Sequence, residues 1–325
     1  MNEEFNIEFE NRVGETCDGV PYRQSIDKVS PTYHPLLFYL VFMVLKWIAG
    51  VVLTVSGFRF YRTSNGLGYW YRAAHRNNPA SVPLLFYHGI APGGLFIYLP
   101  MILFGLSRDD QAMFCFENPA ISCTSLWFPR VLNEDDTVRG SMEAVDSRLG
   151  CDSEKVSLCG HSMGTCQITW WLHHSDEARR RVTQVLLLDP VTILLSDPTV
   201  MVNFLYKRQC HTWFICLVHV MASTEIFIEH YIRRHITWYN CELWLQDDFP
   251  PDLAQVLVCL SGKDVIIDSQ AVREEIEVQN ERKRQQQQSQ SSLVQVLYWD
   301  NDGHGFCLAF WQRWNEIRKA MKCSY

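Results

Sequence analysis

The stretch KVSLCGHSMGTCQITWW (Lys155–Trp171) passes from an apolar, strand-like segment through Gly160-His161-Ser162-Met163-Gly164 into a second apolar segment of helical spacing. A strand that turns at once into a helix brings its flanking backbone too close for side chains two residues either side of the turn. Gly160 and Gly164 remove those Cβ atoms, and Ser162 between them takes a strained conformation that pushes its hydroxyl out at the carboxyl end of the strand. The helix start beneath offers unpaired N–H groups and the positive end of a dipole. A glycine-bounded turn with an incidental serine is the plain alternative, but the strand-before, helix-after setting is what a nucleophile elbow requires.

Outward from this point, short apolar runs alternate with helical stretches, which predicts a mostly parallel sheet with helices on both faces. Strands are expected at VPLLFYHG, QAMFCFEN, KVSLCGH, TQVLLLDP, AQVLVCLSG and LVQVLYWD, with helices at DDTVRGSMEAVDSRL and the closing FCLAFWQRWNEIRKAMK. Residues 191–250, rich in aromatic and aliphatic side chains, replace what one crossover helix could do and read as a helical cap insertion. The core is therefore split into 66–190 and 251–322. The segment EEIEVQNERKRQQQQSQSS is expected to begin as a helix and fray into a polar loop.

Residues 1–34 are polar and acidic, and 35–58 (PLLFYLVFMVLKWIAGVVLTVSGF) are almost wholly apolar. As a helix this second segment reaches roughly 36 Å against about 30 Å of bilayer hydrocarbon. Lys46 near its middle costs about 3 kcal/mol, which the Leu, Ile, Val and Phe around it offset at roughly 0.3–0.6 kcal/mol each. A single-pass anchor is the first expectation. An interfacial hairpin broken at Lys46 and Gly50, and a buried helical pair packed on the domain, are the alternatives. The long acidic lead is unlike a cleaved secretion signal.

The 325 residues carry a net charge of −7 with 20% charged side chains, and no basic cluster stands out beyond Glu281–Arg284, so a nucleic-acid partner is not expected. The twelve cysteines are scattered singly with no CxxC pair. They read as reduced packing residues of a domain facing the cytosol, and neither a metal nor a redox site is expected. No nucleotide or dinucleotide motif appears, so no cofactor is expected.

A serine hydroxyl is a weak nucleophile at neutral pH and needs a base oriented by a carboxylate. His304, in WDNDGHGF between the last strand and the last helix, is the candidate base. His161 lies inside the elbow, and His211, His219, His230 and His235 belong to the insertion. Three acids compete to orient His304. Asp264 follows the penultimate strand and completes the order Ser, Asp, His; Asp268, four residues on, is better suited to capping the next helix; Asp189 ends the strand after the elbow strand. For a developing oxyanion, the amides of Ile90, in the glycine-rich HGIAPGG, and of Met163 are the candidate donors. His88 is expected to brace that loop, and Asp300 and Asp302 to shape the histidine loop.

Strand-HG, GHSMG, GKD before a helix and GHG before the last helix, in that order, resemble the α/β-hydrolase superfamily over roughly Gly66 to Lys322. The GHSMG form, the membrane-length segment and the apolar cap are similar to membrane-associated serine lipid hydrolases of the monoacylglycerol lipase-like kind. The resemblance implies attack of Ser162 on an ester carbonyl, an acyl-enzyme, and its hydrolysis by water activated through His304. A lipid or acyl ester is the implied substrate and a membrane the implied partner. The HxxxxD acyltransferase signature is absent, and the serine at the elbow disfavours epoxide and haloalkane chemistry, which use aspartate there. A thioesterase or peptidase with the same three residues, and a hydrolase-fold scaffold without activity, are the competing expectations. Oligomeric state, acyl length and organelle are left open.

Overall fold

All six apolar runs form strands in the computed structural model, which describes residues 24–76, 78, 81–150, 155–206, 213–250, 253–285 and 293–322. These are β3 (Leu84–Tyr87), β4 (Met113–Phe116), β5 (Val156–His161), β6 (Val182–Leu188), β7 (Gln255–Ser261) and β8 (Val294–Trp299). Every residue of β3, β4, β5 and β7 is buried, as expected of parallel strands covered on both faces, and that is why these runs are continuously apolar rather than alternating.

Two strands precede them: β1 (Arg59–Arg62) and β2 (Gly68–Arg72). They pair antiparallel with each other, and β2 pairs antiparallel with β4. The eight-stranded sheet runs β1-β2-β4-β3-β5-β6-β7-β8, parallel from β4 to β8. The expected start of the core at residue 66 is thus too late, since the sheet begins at Arg59. RFYR is exposed except at Tyr61 and GYWYR is only partly buried, so these short strands lack the apolar run that marks the others.

The period-two alternation of the strands divides the core. Leu85, Phe114, Leu158, Val185 and Val256 face α2 (Glu134–Leu149), α3 (Gly164–His174) and the cap. Leu84, Met113, Cys159, Leu186 and Leu257 face the other way, toward Ala49 and Leu53 and toward Trp314 and Ile317 of the closing helix Trp311–Lys322. That helix is shorter than expected: Phe306–Leu308 forms a separate 3₁₀ turn before it.

The apolar segment forms one unbroken helix, α1 (Leu36–Val55), rather than a hairpin broken at Lys46 and Gly50. It ends before residue 58. Gly57 takes φ +88, its N–H and that of Phe58 donate to Thr54 and Leu53, and Phe58 turns into the core. Tyr39, Phe42, Ala49 and Leu53 of α1 are buried, Tyr39 Oη–H donates to Glu225, and Lys46 pairs with Glu117 at 2.5 Å just beyond β4. Leu36, Leu37, Leu40, Val41, Val44, Trp47, Val51 and Val55 are exposed.

Within 191–250 the described residues form short helical pieces, the longest being Ile226–Arg234, whose Ile228, Tyr231 and Ile232 join the core above α3. Of the polar N-terminal region only 24–34 falls among the described residues. Instead of a free tail it is a strap on this cap helix: Gln24 donates to Ile232 O, Arg234 to Ser25 O, and Thr32 bridges Glu225. The glutamine-rich stretch 286–292 lies outside the described residues, after a helix at Ser269–Gln285.

Candidate active site

β5 lies between β3 and β6 in the sheet, and Ser162 follows its last residue. Ser162 has φ +51, a region that side chains other than glycine rarely occupy, and it is buried to 8% exposure. The close approach read from the two glycines is there. A Cβ on Gly160 would stand 2.7 Å from Gly164 O, and one on Gly164 would fall inside the shell of Tyr87 O. Gly89 is equally confined, since a Cβ there would meet His161 O at 2.8 Å and Ser162 Cβ at 2.9 Å. The loop after β3 therefore lies directly against the serine.

Ser162, His304 and Asp264, far apart in sequence, form one hydrogen-bonded line. Ser162 Oγ is 2.9 Å from His304 Nε2, and His304 Nδ1–H donates to Asp264 Oδ2 at 2.6 Å. The second oxygen of Asp264 accepts the amides of Ile266 and Ile267, which holds the carboxylate still. Burial pulls the His304 imidazole toward neutrality, but the charge and hydrogen bond of Asp264 and the charge of Asp189 outweigh it and push the ring up to about 9.

Of the competing acids, Asp268 caps the helix Ser269–Gln285 through the Ala271 amide. Asp189 accepts from Ser261 N, Ser261 Oγ and Gly305 N. His88 braces its loop: Nδ1–H donates to Gly89 O at 2.7 Å and Nε2 accepts the Asn118 amide at 3.0 Å, and burial lowers its pKa. Asp302 holds the histidine loop by pairing with Arg313 and accepting the Lys263 amide on its carbonyl. Ile90 and Met163 both line the cavity at Ser162, and among the described residues neither amide has a hydrogen-bond acceptor.

Two partners escaped the sequence reading. Tyr98 Oη accepts the Gly89 amide at 2.9 Å and donates to His161 Nδ1 at 2.8 Å, which places His161 under the elbow as a neutral, well-buried ring. Glu117 accepts from both Lys46 and Trp70 Nε1–H, joining α1 to the sheet. Neither has a local signal, because each depends on the packing of distant elements.

The cavity over Ser162 holds about 390 Å³ and is walled by apolar side chains, with Phe42 and Leu45 from α1, Ile97 from the loop after β3, and Leu217, Met221 and Ile232 from the cap. A hollow of about 420 Å³ beside it, lined by Arg62, Trp127 and Arg130, includes none of the three residues. All eight cysteines among the described residues are free thiols, seven of them buried.

No protein-family model and no curated protein matches the chain. Solved structures do. A membrane phospholipase A described as a bacterial virulence factor superposes with a TM-score of 0.55 at 14% identity, covering 89% of this chain and 94% of its own. An esterase from Pyrococcus furiosus gives 0.54 at 12%, covering 83% and 92%, and an esterase from Rhodococcus gives 0.51 at 18%, covering 83% and 100%. With the strand order, the strained serine after β5 and the parallel sheet already described, this likeness identifies the chain as having the α/β-hydrolase fold.

Proposed function

We propose that the chain is a membrane-associated serine hydrolase that cleaves lipid acyl esters through an acyl-enzyme on Ser162. The observation that carries this reading is the Ser162–His304–Asp264 line at 2.9 and 2.6 Å, opening into an apolar cavity large enough for an acyl chain.

In the reactive form His304 is neutral, with its proton on Nδ1 facing Asp264. As Ser162 Oγ bonds to the ester carbonyl carbon, its proton passes to Nε2, and the carbonyl electron pair moves to oxygen, where the Ile90 and Met163 amides donate. Collapse of this tetrahedral species breaks the bond to the alcohol, which leaves with the Nε2 proton. Water then attacks the acyl-enzyme carbonyl, giving its proton to Nε2; release of the acid returns that proton to Ser162. Fluorophosphonate probes report this nucleophile directly. Wild type is expected to label and Ser162→Ala to remain unlabelled; equal labelling of both would refute the assignment.

The membrane association is of the lying-on kind. Buried Tyr39 and Leu53 stand near opposite ends of α1, about 21 Å apart along a helix, so α1 lies along the domain and cannot cross a bilayer while packed this way. Its outer face, with Leu36, Leu37, Leu40, Val41, Val44, Trp47, Val51 and Val55 exposed, is then available to the acyl region of one leaflet. Leu45 on α1, and the exposed Ile97 and Leu217, sit where this face meets the cavity, so an acyl chain enters from lipid rather than from water. The buried free thiols support a reducing, cytosolic side for the domain. A triple variant, Leu40→Glu, Val44→Glu and Trp47→Glu, alters only exposed positions. Co-sedimentation with phosphatidylcholine vesicles is expected to fall at least about tenfold, while turnover of a water-soluble short-chain ester stays within about twofold. Undiminished sedimentation would remove α1 from this role.

A further inference from the structure

Asp189 carries features that the three-residue line leaves unexplained. It ends β6 with φ +42, strained for an aspartate, and is 1% exposed. Its nearest neighbours are donors and titrating rings rather than a lysine or arginine. From β7 come Ser261 N at 2.9 Å and Ser261 Oγ at 3.1 Å, and from the histidine loop comes Gly305 N at 2.8 Å, the residue after His304. One atom each of Asp189, Asp264 and His304 lie within 4.8 Å of one another.

The end of β5 contributes a fourth feature. His161 Nδ1 accepts from Tyr98, so its proton is on Nε2, and that buried Nε2–H has no hydrogen-bond acceptor. The carboxylate before it is Asp189 Oδ2, 4.0 Å away. Beneath the reacting groups, hydrogen bonds run from Gly89 N–H to Tyr98 and from Tyr98 to His161, and from Gly305 N–H to Asp189, with His161 Nε2 facing Asp189 across an unbonded 4.0 Å. These contacts end at the loop that carries Ile90 and the loop that carries His304.

We propose that Asp189 is a positioning residue: a second buried carboxylate that fixes the His304 loop to the sheet and shares with Asp264 the stabilisation of the His304 imidazolium. This rests on the reading of His304 as the base for Ser162. One carboxylate would suffice to orient the ring through Nδ1. The second acts by charge, at a distance where a buried pair interacts far more strongly than in water. Burial raises Asp189 to about 6 against the lowering effect of His304 and its hydrogen bonds, so it is ionised above that pH when the ring takes up the serine proton. The other groups facing it are Asp264, His161, and the Cys259 and Cys307 thiols, which burial pushes up and keeps neutral.

The test is histidine Cε1 NMR on the full chain, with the His304 signal assigned by its loss in His304→Gln. In Asp189→Asn, the His304 titration is expected to move down by about one pH unit, and the acid limb of kcat/KM to move with it. The sign follows from the role: the base must be neutral, so a lower ring pKa extends activity to lower pH. At the optimum, kcat is expected to fall about tenfold with KM within twofold, because the imidazolium formed in the transition state has lost one of two charges. If that variant does not fold, the wild type decides alone. Its His304 signal is expected to show a second inflection near pH 6 as Asp189 ionises. A His304 titration unmoved in Asp189→Asn, or a single-step wild-type curve, overturns the proposal. Neither NMR result requires turnover, so the absence of esterase activity would defeat the hydrolase reading without touching this one.

Discussion

Ser162→Ala is expected to keep the fold and lower kcat for ester hydrolysis by roughly 10⁶-fold, with KM little changed. The alanine fits wherever the serine does and removes only the hydroxyl that stands 2.9 Å from His304 Nε2. His304→Ala should cost about as much, and the double variant no more than either, because nucleophile and base act as one unit. Asp264→Asn should fall less, by about 10⁴-fold, through an amide that presents the wrong partner to Nδ1–H and so misorients the ring. Additive losses in the double variant would mean that Ser162 and His304 do not act as a unit, and an Asp264→Asn loss under tenfold would mean that the 2.6 Å contact to Asp264 does not orient the base. Steady-state kinetics on one soluble ester, with circular dichroism to check folding, separate these outcomes.

Gly164→Ala is expected to have the largest effect on stability. Adding one methyl there costs nothing in helix propensity, and by that criterion alone the change should stabilise α3. Sterics decide otherwise, since the new Cβ would overlap the carbonyl of Tyr87, the last residue of β3, and neither backbone can move without breaking the β3–β5 pairing. A loss above about 4 kcal/mol follows, a large share of an ordinary domain's total stability. Gly150→Ala is the control. Gly150 has open space around it and strain only from φ +82, so its loss should stay near 1–2 kcal/mol. Chemical denaturation midpoints rank the two; equal midpoints would show that the elbow tolerates the methyl and that the tight approach of β3 is not what requires glycine.

The parts of this architecture that could be read ahead of the coordinates share one property. β3 to β7 bury nearly every side chain on both faces, so each appears as an apolar run, and the edge strand β8, buried only at Val294 and Trp299, still keeps mostly apolar residues. β1 and β2 lie at the antiparallel edge, β1 mostly exposed and β2 partly buried, and such strands of four or five residues look like the loops around them. The same logic applies to the acids. Asp189, Asp264 and Asp268 all lie in segments that follow strands β6 and β7, and composition does not distinguish them. Which one meets His304 depends on β7 lying between β6 and β8, and on where the loop after β8 returns.

What the sequence determined alone is local. Gly160-His161-Ser162-Met163-Gly164 between an apolar strand and an apolar helix imposes a strained serine at φ +51, because covalent geometry and excluded volume act over five residues whatever the rest of the chain does. What only the tertiary structure decided is everything that depends on a distant partner: that Asp264 rather than Asp189 accepts the hydrogen bond from His304 Nδ1–H, that Lys46 meets Glu117, and that a segment long enough to cross a bilayer lies along the domain as one wall of the cavity. Hydropathy and length measure transfer from water to any apolar medium, and the interior of a protein and that of a membrane satisfy them equally; the packing of Tyr39, Phe42, Ala49 and Leu53 shows only that one face of this helix is taken up by the fold.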